Sequence, residues 1–230
     1  MGDSIIYRLS TYGLLLSAGG WTLTINQNEI EIDSLPPVTS IVATAANYVE
    51  KKGYPIGRNN DIPWRCLDDL GNFKAVTEHN AIVMGSGTFE SLVFKPLKNR
   101  LHLVLTRKPS AMLEKYKHLD LTNVVFVLDQ RRRDKEPGWP IKRAIRNAHE
   151  LLGYRKVLVI GGGQIYRYLE PLTTSMHWTK VNCVVEDADT FYSPSDEFIP
   201  RGVAYLEQEQ DDRNDHSFKV YRYFKPKQMD

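Results

Sequence analysis

Apolar and polar positions follow two different periods along this chain, and the change comes near Val38. Before it, Trp21, Leu23 and Ile25 alternate with threonines, and Ile30 and Ile32 alternate with glutamates. A period of two predicts half-buried strands, with Asn26-Gln27-Asn28 as the turn between them. "IIYRLS" and "YGLLLS" predict two more short strands, separated from "WTLTI" by Ala18-Gly19-Gly20. Residues 1–37 therefore read as a small β-meander ending at Pro36-Pro37. From Val38 onward the apolar positions run together: 38–46, 80–85, 100–106, 123–129 and 156–162. Such runs suit strands buried on both faces of a parallel sheet. Helical patterns over 67–77, 86–93, 142–152 and 163–169 lie between or after them. Alternating strands and helices predict an α/β sheet. Strand-like stretches at 175–185, 203–210 and 217–224 close the chain, the last two joined by polar "DDRNDH" as a hairpin connection.

Composition narrows the class. The chain has 230 residues, 42% of them hydrophobic, enough for one large domain with an addition. Thirty basic residues nearly cancel 28 acidic ones, which gives no electrostatic case for nucleic acid or an anionic membrane surface. No run approaches the ~20 apolar residues that span a bilayer, and "YRLSTYGLLLSAGG" makes a poor targeting segment. Cys66 and Cys183 form neither a disulfide framework nor a metal spacing, and the six histidines are scattered. The expected setting is cytoplasmic, with no metal.

Three stretches carry candidate chemistry. In "IPWRCLDDLGNFK" (62–74), advancing about 100° per residue from Leu67 puts Asp69 near 200°, between Val76 and Phe73. Asp68 falls near 100°, where it faces water or supports the first helical turn with its charge. Asp69 thus points with apolar residues, and a desolvated carboxylate has a raised pKa unless a partner compensates. It is either satisfied by backbone or a cation, or it recognises a cationic or amide-like heterocycle. In "VLVIGGGQIYRYL" (157–169) a strand runs through three glycines into a helix. Such a turn admits a phosphate close to the backbone, or is simply tight; it is not the G-x-G-x-x-G fingerprint. Thr106-Arg107-Lys108 follows a strand, at the sheet edge where ligands of open α/β sheets bind. "RRRDKE" (131–136) reads as a surface loop.

In sequence order, "TSIVATAA", "IGRNNDIPW", "DLGNFKAVT", "IVMGSGTFESL", "PLKNR", "LVLTR", "VIGGGQIY" and "DADTF" resemble the dihydrofolate reductase family over about residues 38–224. The resemblance implies an α/β fold: an eight-stranded, mostly parallel sheet with flanking helices and an antiparallel C-terminal edge strand. It implies residues 38–230 as the domain and 1–37 as a β-rich extension that the family pattern does not cover. The implied reaction is NADPH-dependent reduction of 7,8-dihydrofolate to tetrahydrofolate, by hydride transfer to C6 with protonation at N5. Partners are then dihydrofolate and antifolate-like small molecules.

What the resemblance implies for single residues is specific. Asp69 clamps the pterin's N3 and 2-amino group, with water carrying the proton to N5, and Thr179 holds its carboxylate. Ile62 and Trp64 cover the ring system, Trp64 with an ordered water. Val42, Ala43, Leu70, Phe73 and Leu92 line the substrate pocket. Arg100 pairs with the glutamate α-carboxylate. Ile56 and Gly57 flank the nicotinamide, with Ile160 ending its strand beside it. Thr88, Gly162 and Gly163 approach the phosphates, and Gly85, Thr106, Gln164, Ile165 and Tyr166 complete the cofactor set. Arg107 takes the 2′-phosphate, the more so because Ser86 stands where many members carry a basic residue. Two segments, 48–57 and 92–100, are longer than in compact members. A related-fold pyrimidine reductase of riboflavin synthesis is the alternative enzyme, but it lacks the Pro-Trp, Asp and Phe arrangement. An interaction protein retaining the fold is the alternative class, since exposed strands in 1–37 can pair with another chain, by self-association or docking. The extension can equally be an extra sheet on its own domain.

Overall fold

A computed structural model describes residues 6–10, 13–17, 35–92, 96–129 and 137–226, the first two segments as backbone. β1 (Ile6–Ser10) and β2 (Gly13–Ser17) form an antiparallel pair separate from the main sheet. The strands expected at 21–25 and 29–32 and the loop at 131–136 lie outside the described residues.

The five apolar runs become five parallel strands: β3 (Val38–Thr44), β5 (Ala81–Gly85), β6 (Leu101–Thr106), β7 (Val124–Leu128) and β8 (Val157–Gly161). Between β3 and β5 comes the short β4 (Tyr54–Gly57), which sequence periodicity did not reveal. It pairs outside the main sheet with β10 (Thr190–Tyr192). The long β9 (Thr173–Val181) runs parallel to β3, and β13 (Phe218–Phe224) runs antiparallel to β9. Two short strands, β11 (Ile199–Pro200) and β12 (Leu206–Gln208), pair with the other side of β13. The main path is thus eight strands in the order β11-β13-β9-β3-β8-β5-β6-β7, with β12 as a short addition. The stretch read as 203–210 is strand only over three residues.

Helices cover both faces, which is why the central strands are apolar throughout. On one face α4 (Trp139–Glu150) and α5 (Gly163–Leu169) bury Ile141, Ile145, Ile165 and Leu169 against Val83, Leu103, Val157 and Val159. α4 starts earlier than its apolar period suggests, because Pro140 fits a first turn that needs no N–H. On the other face α2 (Ser86–Ser91) and α3 (Pro109–Tyr116) bury Phe89, Met112 and Tyr116 against Ile82, Met84 and Val104. α1 (Leu67–Thr77) adds Phe73 and Val76 to that cluster.

The start of α1 is capped from far along the chain. Its N-cap residue, Cys66, makes no side-chain cap. Instead the carbonyl of Arg213 accepts the Leu67 N–H at 3.1 Å, and Asn214 Oδ1 accepts the Asp68 N–H at 3.2 Å. Asp68, expected to face water or support this turn, is held there. Arg213 donates to its Oδ1 from Nε at 3.0 Å and Nη2 at 2.6 Å, and Asn214 Nδ2 donates to its Oδ2 at 2.9 Å. These bonds, Arg213 first, lower the Asp68 pKa. The polar segment "DDRNDH" is therefore a hairpin connection that also fastens a helix. Asn214 is fully buried, at 0% exposure. Asn214→Ala strands its partners, a loss worth about 1–3 kcal/mol. Urea titration should show a lower midpoint with an unchanged slope.

Candidate active site

The first turn of α1 lies over the β3–β9 part of the sheet, and this brings Asp69 to Thr179. The Thr179 hydroxyl donates to Asp69 Oδ1 at 2.7 Å. Thr179 is buried on β9 and sits in register with Ala43 on β3. Among the described residues no cation pairs with Asp69. Burial is the main influence on this carboxylate and raises its pKa; the Thr179 bond acts in the opposite direction. On the same face of β9, His177 Nδ1 and the Tyr205 hydroxyl share a hydrogen bond of 2.7 Å. Burial, then the charges of Arg222 and Lys156, depress His177 to about 4. That imidazole is neutral at pH 7 and brings Asp69 no positive charge.

Around the acid is a partly apolar wall. Phe73, Leu92 and Ile160 pack on one cluster with Ile41 and Met84. Leu97 belongs to the same wall and was not singled out from the sequence; its only sequence signal is its place in "PLKNR". Trp64 is buried with Cys66, Val181 and Phe218, and Ala43 packs on that group. Ile62 and Leu70 are exposed. Val42 needs a correction: its side chain is buried on the opposite face with Trp178 and Tyr166, because alternate residues of a strand point oppositely. Only the Val42 backbone can reach the face that Ala43 and Thr179 share.

Arg100, just before β6, is 5% exposed, and its Nε has no hydrogen-bond partner. No carboxylate pairs with it among the described residues. Burial lowers its pKa, with Glu78 acting the other way. A buried guanidinium without an acceptor is costly unless an anion arrives.

The glycine turn closes the other end. Gly161 has φ 129°, a left-handed value that favours glycine. A Cβ on Gly163 would lie 2.4 Å from the Phe191 carbonyl oxygen, so β10 and α5 pack too closely there for any side chain. A Cβ on Gly162 would meet only Thr88 Oγ1, at 3.5 Å, which leaves open space over that backbone. Gly85 ends β5 against Ile165, whose Cγ1 would be 3.0 Å from an added Cβ. Two residues of the expected cofactor set also anchor the turn from within. Tyr166 is buried and donates to the Ile41 carbonyl at 2.5 Å, and Ile165 is buried in the core. Gln164 is exposed. Thr106 Oγ1 accepts the Lys108 N–H at 3.2 Å, and Arg107 beside it is exposed with no ion-pair partner among the described residues.

Residues 45–66 span the space between these parts. Ile56 packs on the core, and Gly57, the last residue of β4, is buried and pairs with Thr190 of β10. The Asn59 N–H donates to Asp189 Oδ2 at 2.6 Å, and Arg58 Nη1 bridges Asp187 at 3.0 Å. Asp189 ties this segment to the start of β10 and was visible in the sequence only as part of "DADTF".

Comparison with known proteins agrees with this layout. The family model "Dihydrofolate reductase" matches residues 38–225. The dihydrofolate reductase of Bacillus subtilis (strain 168) is 27% identical over 171 residues, 74% of this chain and 87% of that protein. A bifunctional dihydrofolate reductase-thymidylate synthase of Glycine max is 35% identical over 159 residues, 61% of this chain. The chain spans only 26% of that bifunctional relative. The solved dihydrofolate reductase from Enterococcus faecalis, complexed with NADP(H) and RAB-propyl, superposes with TM-score 0.62 at 24% identity, over 82% of this chain and 96% of that one. Fold and family match define an oxidoreductase. The chain belongs to the dihydrofolate reductase family, which uses NADPH.

The Asp69 shift has a measurable consequence. Its pKa in the fold lies above the ordinary 3.8, so the folded state binds that proton more tightly than the unfolded chain. The stability this contributes is complete below 3.8 and is lost as pH rises through the folded-state value. Asp69→Asn cannot ionise and avoids the loss. It should melt above wild type at pH 7, with the gap closing as pH falls toward 3.8; a variant that melts lower at pH 7 would mean that the carboxylate's own bonds outweigh its burial.

Proposed function

We propose that this chain reduces 7,8-dihydrofolate to 5,6,7,8-tetrahydrofolate, with Asp69 as the residue that binds and polarises the pterin. The observation that carries the reading is an inward-facing carboxylate held by one threonine hydroxyl and, among the described residues, by no cation. Such a group has acceptor capacity left for the N3–H and 2-amino donors of a pterin. Its negative charge favours the protonated ring, and water at the Trp64 end of the site brings the proton to N5. Leu70, Phe73 and Leu92 receive the pterin and benzoyl rings, Ala43 and the Val42 backbone form the floor, and Ile62 covers the edge. Arg100, buried without an anion, receives the glutamate α-carboxylate. Antifolates with a similar diamino ring would use the same acid.

The residues also fit the cofactor. NADPH supplies the hydride to C6 when bound. The open backbone at Gly162 with the Thr88 hydroxyl suits its phosphates, Ile56, Gly57 and Ile160 border the nicotinamide, and the exposed Arg107 suits the 2′-phosphate. The chain's job is to orient and to exclude water, since the redox chemistry is the cofactor's. Residues 38–230 form the catalytic domain in this reading, with 1–37 as an extension to it.

Loss of NADPH absorbance in the presence of dihydrofolate, blocked by an antifolate, is the direct assay. Asp69→Asn should cut turnover about a hundredfold or more at pH 7, and less at low pH where the substrate is already protonated. Undiminished turnover at pH 7 would remove Asp69 from the mechanism. Arg107→Ala should raise the KM for NADPH about tenfold or more, the worth of a charge-assisted bond, while the KM for NADH stays within about twofold. Equal losses for both cofactors would disprove the 2′-phosphate contact.

A further inference from the structure

The segment that ends in Arg100 is held by a side chain that no step above uses. His102 lies on β6 and is fully buried, at 0% exposure. Its Nε2 is 2.9 Å from the Leu97 backbone nitrogen. A backbone N–H can only donate, so Nε2 is the acceptor and the ring proton sits on Nδ1. Nδ1 then donates to the Asn123 carbonyl at 3.1 Å, which also accepts the His102 backbone N–H at 2.8 Å. Asn123 completes the ring of bonds. Its Nδ2 donates to the Leu97 carbonyl at 3.2 Å and to the Arg100 carbonyl at 2.9 Å. Between those anchors the chain turns through Asn99 at φ 58°, whose carbonyl accepts the His79 N–H at 2.8 Å. Burial depresses His102 to about 4, which keeps the neutral form that this pattern needs.

The guanidinium of Arg100 has no carboxylate partner and no bond at Nε among the described residues. Its place is therefore set from behind, by its backbone. We infer that His102 and Asn123 are positioning residues that hold segment 97–100 and so make the site selective for a pterin carrying a carboxylate tail. The inference rests on the proposed reading of Arg100 as the tail's receptor. Leu97, in the apolar wall beside Phe73, is fixed by the same bonds, so one latch sets both the apolar rim and the cation. Preorganising the receptor removes an ordering cost that a mobile arginine would impose on each binding event.

The test compares dihydrofolate with 6-methyl-7,8-dihydropterin, which lacks the benzoyl-glutamate tail, in steady-state assays of the full chain. Arg100→Leu examines the underlying reading: it should raise the KM for dihydrofolate alone. His102→Leu removes both imidazole bonds and should raise the KM for dihydrofolate about tenfold, with kcat, the dihydropterin KM and NADPH affinity each within about twofold. His102→Gln, whose amide oxygen can still accept the Leu97 N–H, should recover most of the loss. Asn123→Ala should show the same tail-specific defect, and it carries the test if His102→Leu does not accumulate as folded protein. If Arg100→Leu is tail-specific while the His102 and Asn123 variants lose both substrates equally, or neither, the latch is overturned and the reading of Arg100 stands. If Arg100→Leu itself fails to discriminate, the tail receptor is wrong and the latch falls with it.

Discussion

A carboxylate taken out of water without a cation is expensive, and much of this fold is arranged around one. Asp69 sits in the first turn of α1, where the helix dipole favours a negative charge. Thr179 offers it one hydroxyl across the sheet. Neither is enough to cancel the burial that raises its pKa. What remains is an unsatisfied demand for donors on one side of the acid. A ligand with two N–H groups in a row meets that demand, and a cation inside the protein would have removed it. The same reasoning applies to Arg100, an inward-facing cation that lacks an acceptor. Asp69 and Arg100 are thus an anion and a cation that each lack an ionic partner among the described residues.

Holding an underpaired acid in place requires support from outside its own helix. The first turn of α1 takes that support from Arg213 and Asn214, about 145 residues later in the chain. Asp68 is the paired carboxylate of the two, with its pKa lowered, and Asp69 is the unpaired one with its pKa raised. Adjacent identical side chains thus have opposite pKa shifts, one lowered by its partners and one raised by burial. The division follows from helix geometry, since about 100° separates their directions.

That geometry is also why Asp69 was readable from the sequence and Asp68 was not. The direction of a side chain on a helix is a local property, so Val76 and Phe73 sufficed to turn Asp69 inward. The partner of Asp68 is a long-range property, hidden in a polar stretch that looked like an ordinary hairpin connection. The five central strands were legible because burial on both faces makes them uniformly apolar. Short β4, β10 and β11 carry no such signal: their partners lie elsewhere in the chain and each is only two to four residues long. Family resemblance named Ile165 and Tyr166 beside the glycines; their burial and the Tyr166 bond to the Ile41 carbonyl are long-range features that the sequence does not show. Proximity in sequence to a ligand-contacting residue does not say which way a side chain points.

The bonds in the site also differ in kind, and the difference tracks what each part has to do. The contacts of segment 58–61, Arg58 with Asp187 and the Asn59 N–H with Asp189, lie at the surface. Exposed pairs of this sort contribute only about 0–1 kcal/mol each. A segment held by such contacts at its surface side is more weakly tied there than one held by bonds in the interior. The Asp69–Thr179 bond and the His102–Asn123 ring are part-buried, and breaking a bond so that a buried group is left unpaired costs about 1–3 kcal/mol. The contacts of segment 58–61 share no partner with the bonds of Asp69 or of the His102–Asn123 ring. The two sets of bonds are separated by the depth at which they lie.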